Sequence, residues 1–157
     1  MILTGRDLRG YLQSGYLKIA PLQDSQIQQN GVDLILDEVM GHPVVFLPGR
    51  MYLGATREEL VMPHDLMAFV ELRSTWARSG LMLPPTIVDA GFHGNLTLEI
   101  VPFMRAESDT TVKHPPPVPY GHRFAHLIFA RLTGLADPYM GKYQGQWGVT
   151  APIPDAP

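Results

Sequence analysis

The 157-residue sequence contains no cysteine, which excludes a disulfide framework and any thiolate metal site and leaves no mark of secretion. Nor is there an excess of basic residues. Twelve Lys and Arg stand against fifteen Asp and Glu, a formal net charge of −3, so the chain lacks the basic footprint that a nucleic-acid or anionic-membrane partner requires. A single nucleotide is still a feasible partner. No apolar run approaches the roughly 18 residues of a membrane span, and Thr4, Arg6 and Asp7 arrive before any apolar leader segment develops. The expectation is a soluble, cytoplasmic protein. Two further absences are informative: there is neither a Gly-x-x-x-x-Gly-Lys-Ser/Thr loop nor a Gly-x-Ser-x-Gly elbow, which removes the commonest nucleotide-fold and hydrolase alternatives.

What is present is turn chemistry. Fifteen Gly and fifteen Pro favour many short strands joined by turns, and the length is that of one domain with room for a core. No internal repeat or dividing linker occurs. Thr4 with Asp7 three residues on predicts a helix start, with Leu8, Tyr11 and Leu12 as its apolar stripe and Gly15 as its stop. Strands are predicted over 16–19, 32–37, 44–47, 52–56, 66–72 and 124–132, where apolar residues alternate or run together between turn residues. Residues 23–30 are expected to form an exposed loop, and Asp33 and Asp37 to be solvated. A surface loop is expected between Pro102 and Pro119, stiffened by Pro115, Pro116 and Pro117. From Thr133 onward little can be buried, and that tail is expected to order over a ligand.

The polar chemistry gathers between Arg73 and Ile100. Ser74 and Arg78 stand four apart, so one helical turn places hydroxyl and guanidinium on one face, with Arg73 and Thr75 beside them, as a small anion-binding cluster. Asp89 opens a Gly-bounded turn. Beyond Gly94, Leu96, Leu98 and Ile100 alternate with Asn95, Thr97 and Glu99, which predicts a strand with Glu99 off its core side.

Arg73-Ser74-Thr75-Trp76-Ala77-Arg78-Ser79-Gly80 resembles the Arg-Ser-Ser-x-Ala-Arg-x-Gly motif of the dCTP deaminase branch of the dUTPase-like superfamily. Asp89-Ala90-Gly91-Phe92-His93-Gly94 with Thr97-Leu98-Glu99 is similar to a second motif, and Pro138-Tyr139 with Gly141-Lys142-Tyr143-Gln144-Gly145-Gln146 to the tail motif. Three motifs in one order are a specific signal where any one alone is weak. The resemblance implies an all-β distorted barrel (β-clip) with a short N-terminal helix, a single domain whose segment 133–157 is the tail, and a homotrimer with shared sites. It implies deamination of dCTP to dUTP and ammonia without a resident metal, and Mg2+ carried by the triphosphate. Six histidines could suggest a metal centre, but the zinc-deaminase signature also requires a Cys pair.

The resemblance also assigns roles. Glu99 would be the general acid and base at C4 of cytosine, with Ser74 and Arg78 near the base and the attacking water. Arg73 and Thr75 would face phosphates, Asp89 the sugar 3'-hydroxyl, and Phe92 the deoxyribose, where a 2'-hydroxyl would clash. Tyr139, Lys142, Tyr143 and Gln146 would bind phosphate or base as the tail folds over. Departures from the motif fall at Thr75, at His126 where many relatives have Gln, and at Pro84-Pro85-Thr86 in a short 80–89 loop. They leave base recognition and inhibition by dTTP open. So do the alternatives: a bifunctional enzyme that continues from dUTP to dUMP and pyrophosphate, a dUTPase alone, or a nucleotide-binding protein without turnover.

Overall fold

The computed structural model describes residues 1–103 and 117–155. The loop expected between Pro102 and Pro119, with Pro115 and Pro116, lies largely outside the described residues. Helix α1 (Gly5–Gln13) begins at the expected capping box: the Thr4 hydroxyl accepts from the Asp7 amide and the Asp7 carboxylate accepts from the Thr4 amide. Its Leu8 is fully buried, and Gly15, at φ 73°, turns the chain away.

Among the described residues nine strands follow, all paired antiparallel: β1 (Lys18–Ala20), β2 (Ile27–Gln28), β3 (Gly31–Val39), β4 (Tyr52–Val61), β5 (Leu66–Leu72), β6 (Leu81–Met82), β7 (Thr86–Val88), β8 (His93–Pro102) and β9 (Arg123–Arg131). One short helix, α2 (Ser74–Arg78), separates β5 from β6. The path through the curled sheet runs β6-β8-β4-β3-β9-β5-β7, with β1 on β4 and β2 on β3. Leu34, Leu36, Leu60, Leu98, Ile100, Phe124, Leu127 and Phe129 fill its interior, each essentially inaccessible to solvent.

Several expectations for the fold need correction. Residues 44–47 form no strand: Val45 makes one isolated bridge to Pro117, Phe46 plugs the core and Val44 is 81% exposed, since prolines at 43 and 48 deny this run a continuous ladder. Residues 23–30 are not a plain exposed loop but a 3-10 turn (Asp24–Gln26) and β2, and Gln26 is buried. Strand β4 continues five residues past Thr56, through the charged run Arg57-Glu58-Glu59. Asp33, expected in solvent, is 1% exposed.

Glu58 explains how a charged run stays in the sheet. Its carboxylate accepts from the Gln26 side-chain amide at 2.7 Å and from the Ile35 backbone amide at 2.9 Å, next to the irregularity where the β4–β8 register shifts between Ala55 and Glu59. At this shift the Thr56 hydroxyl accepts from the Leu96 amide and the Asn95 side chain donates to the Thr56 carbonyl, so Asn95 is buried rather than solvent-facing. Burial raises the Glu58 carboxyl above its usual range, against the opposing pull of the Ile35 and Gln26 donors.

Glu58→Gln should destabilise the fold by about 1–3 kcal/mol, because one of those two donors would face an NH2 group. Gln26 cannot flip to compensate, since its own oxygen accepts from the Gln23 amide and its NH2 also donates to the Asp33 carbonyl. A group whose folded pKa is raised contributes stability that is complete below its unfolded value and lost as pH rises through the folded one. The advantage of wild type over Glu58→Gln should therefore narrow as pH rises past the carboxylate range. Thermal melts of both proteins from acid to neutral pH check this; a constant gap would contradict it.

Candidate active site

Strand β8 carries Glu99 opposite Leu53 of β4, and Thr97 opposite Ala55. Leu96, Leu98 and Ile100 point into the core, so the two-residue period turns Thr97 and Glu99 outward, where both are half-buried. They line a cleft of about 350 Å³ together with Asp89, Phe92, Tyr139, Tyr143 and Gln146, floored by apolar residues such as Leu53 and Val88.

One wall is the turn Asp89–Gly94, and the tail is laid against it. Gly91 has φ 77°, and a Cβ there would come within 2.8 Å of Pro138; at Gly94, with φ 139°, it would come within 2.7 Å of the Gln146 carbonyl. Both glycines are required because the tail backbone comes this near. Phe92 and Tyr139 pack edge to face at 5.9 Å between centroids. The Tyr139 amide donates to the Ala90 carbonyl, the Gly145 amide to the His93 carbonyl, and the Thr150 amide to the Thr97 hydroxyl. Segment 133–155 thus crosses the mouth of the cleft.

Gln144, quoted within the tail motif but given no role there, ties this contact together. Its amide donates to the Gly91 and Tyr139 carbonyls at 2.9 and 3.0 Å, and its oxygen accepts from the His93 amide at 2.8 Å. Gln144→Ala should weaken the affinity of this cleft for its ligand about tenfold, the loss of about 1.4 kcal/mol of pre-organisation, and speed proteolysis within 133–155. The melting temperature should hardly move. Calorimetric titration and timed digestion test this, and unchanged affinity would refute it.

A second cleft lies at the start of α2. Trp76 fixes the helix by donating its indole N–H to the Arg123 carbonyl at 2.8 Å and packing on Phe124. Arg73 and Ser74 line this cleft with Asp33, Glu71 and His126. Arg73 Nε stands 3.2 Å from Asp33 Oδ2, and His126 Nδ1 2.8 Å from Asp33 Oδ1. The expected cluster of Arg73, Ser74, Thr75 and Arg78 is therefore divided. Thr75 and Arg78 are exposed on α2 and line neither cleft.

Within one chain, then, Asp89, Phe92, Glu99, Tyr139, Tyr143 and Gln146 come together, and Ser74 and Arg78 do not join them. Lys142 also stands outside the cleft: its ammonium meets Asp155 at 2.7 Å, and that carboxylate raises it above the usual lysine range. The Gln146 amide is engaged by the Asn95 carbonyl. Apart from Gln144, the residues that sequence reading missed are Asp33, whose burial the alternating pattern hid, and the apolar lining Met51 and Leu53.

Comparison with known proteins places the chain in a family. The family model described as dCTP deaminase-like matches residues 37–132. A dCTP deaminase from Acidianus ambivalens is 42% identical, over 97% of each chain. The chain belongs to the dCTP deaminase family. Another relative of this dCTP deaminase-like chain is a probable deoxyuridine 5'-triphosphate nucleotidohydrolase of Sulfolobus islandicus rod-shaped virus 1. It is 44% identical, over 96% of this chain and 97% of the other. Among solved structures, a 2'-deoxycytidine 5'-triphosphate deaminase from Agrobacterium tumefaciens superposes with TM-score 0.64 at 22% identity, over 83% of this chain and 47% of that one. A dUTPase from phage phi11 of S. aureus, whose structure details a structural Mg(II) ion, gives 0.55 at 18% identity, over 80% of this chain and 97% of that one. The family's curled, dUTPase-like β-barrel is thus the fold expected from the sequence.

Proposed function

We propose that this chain deaminates dCTP to dUTP and ammonia, a hydrolysis at the cytosine C–N bond within pyrimidine deoxynucleotide synthesis. The observation that carries the reading is that Glu99, Asp89 and Phe92 line one half-enclosed cleft with the tail across its mouth. Its volume falls within the range of small-molecule sites. Glu99 takes a proton from water as the oxygen attacks C4 and passes it to N3, then carries the proton of the new C4 hydroxyl to the exocyclic nitrogen. The C4–N bond breaks, ammonia leaves and the C4 carbonyl remains. Phe92 stacks against the deoxyribose and Asp89 meets its 3'-hydroxyl. Tyr139, Tyr143 and Gln146 close over the nucleotide, which excludes bulk water.

Ser74 and Arg78 act at the base from a second copy of the chain, and Arg73, Thr75 and Lys142 face the phosphates. A homotrimer with sites between protomers unites the two clefts. Among the described residues no three His, Asp or Glu converge as a metal-ligand set. Magnesium enters as part of the substrate, on the triphosphate oxygens, as the family resemblance implies. Among the described residues no helix is long and apolar enough to cross a membrane, and a cytoplasmic enzyme would meet its nucleotide pool directly.

A second reading is favoured by one observation. Asp89 and Glu99 share one cleft, so a bifunctional enzyme could add attack of water on the α phosphorus and release dUMP and pyrophosphate. Incubation with dCTP and, separately, dUTP in the presence of Mg2+ decides. dUTP as the sole product from dCTP supports deamination; dUMP from both nucleotides supports bifunctionality. dUMP only from dUTP, or binding without product, overturns the proposal.

A further inference from the structure

We infer that Asp33 is a positioning residue: from inside the sheet it holds Arg73 and His126, so that the outer edge of the Arg73 guanidinium meets the anionic part of the ligand. The inference rests on the functional reading above in taking that part to be the phosphate chain.

Asp33, His126 and Glu71 form one row across three strands, since Asp33 pairs with His126 between β3 and β9, and His126 with Glu71 between β9 and β5. Their neighbours along the strands, Val32, Leu34, Ala125, Leu127 and Val70, are buried in the core, so the row lies on the opposite face. Glu71 is exposed there, whereas Asp33 is closed over by its partners. A carboxylate so buried persists only if it is paired.

The pairing exceeds what burial alone would need. His126 Nδ1 sits 2.8 Å from Oδ1, Arg73 Nε 3.2 Å from Oδ2, and Arg123 Nη1 3.8 Å from Oδ2. Oδ2 has no hydrogen bond of good alignment, so charge holds the two guanidiniums there. Two arginines face the one buried carboxylate, with the exposed Glu71 carboxylate on the same cleft, and both arginine side chains are about one-third exposed. Arg73 reaches Asp33 through Nε and lines the cleft together with Ser74 and residues 28–30, where a guanidinium can meet two oxygens at once. The His126 ring is seated against this turn: a Cβ on Gly31 would come within 2.5 Å of its Nε2. Buried ion pairs add little net stability, and this one fixes the direction of an exposed cation.

The test is calorimetric binding of inorganic tripolyphosphate and of dCTP to wild type, Asp33→Asn, Arg73→Lys and the double variant. Asp33→Asn should weaken both ligands about tenfold, and the double variant should bind no more weakly than Arg73→Lys, as expected of residues acting through one contact. A lowered melting temperature with unchanged affinity would mark Asp33 as structural and overturn the inference. So would wild type without affinity for tripolyphosphate. Should Asp33→Asn not fold, NMR relaxation of the wild-type Arg73 side chain decides: a restricted Nε–H vector before ligand is added supports pre-positioning, and ordering that appears only with ligand refutes it. These readouts are binding and side-chain order, so absence of turnover would sink the functional reading alone.

Discussion

Replacing Glu99 with Gln should lower turnover of dCTP by about 10^2- to 10^4-fold, the usual share of general acid and base catalysis, while leaving nucleotide affinity within about threefold. The amide keeps the size and the outward direction of the side chain on β8, where Leu98 and Ile100 hold the strand by their burial. It loses the capacity to take a proton from water and return it to nitrogen. Glu99 is half-buried at the cleft wall beside Thr97, so its replacement removes a reacting group and leaves the core intact. Single-turnover kinetics with a parallel titration separate chemistry from binding. Near-wild-type turnover would end the assignment of Glu99 and, with it, deamination by this cleft.

Glu99 was legible in the sequence because a two-residue period fixes which face a strand residue takes, and Leu96, Leu98 and Ile100 leave no doubt about the core side. The turn Asp89–Gly94 was legible through its glycines, although why they are needed emerges only from the tail backbone packed on them. Asp33 was not legible. It also alternates with apolar neighbours, but the outer face of β3 is covered by Arg73, Arg123 and His126, which come from segments 40 to 93 residues away in the chain. Strand β4 was cut short for a related reason: Arg57-Glu58-Glu59 looks like a surface run until Gln26 and the Ile35 amide are seen to satisfy Glu58. Periodicity records which residues alternate; it does not record what a distant segment lays over them.

Arg78→Ala should lower turnover about 10^2- to 10^3-fold, the effect expected of a charge aimed at the reacting group, and mixing it with Glu99→Gln should restore activity that neither variant has alone. In one chain Glu99 lines the cleft beneath the tail, whereas Arg78 is exposed on α2 and lines neither cleft. Trp76 pins that helix to β9 through the Arg123 carbonyl, so Arg78 cannot reach Glu99 by a small rearrangement of its own chain. A homotrimer with each site built from two neighbours removes the difficulty. After unfolding and co-refolding of equal amounts, about one site in four should pair an intact Glu99 with an intact Arg78, giving about a quarter of wild-type activity. Recovery at that level would assign the two residues to different protomers. Mixed refolding that yields no activity, with the oligomer intact by light scattering, would instead mean that each chain must carry both residues, and the shared-site arrangement would fall.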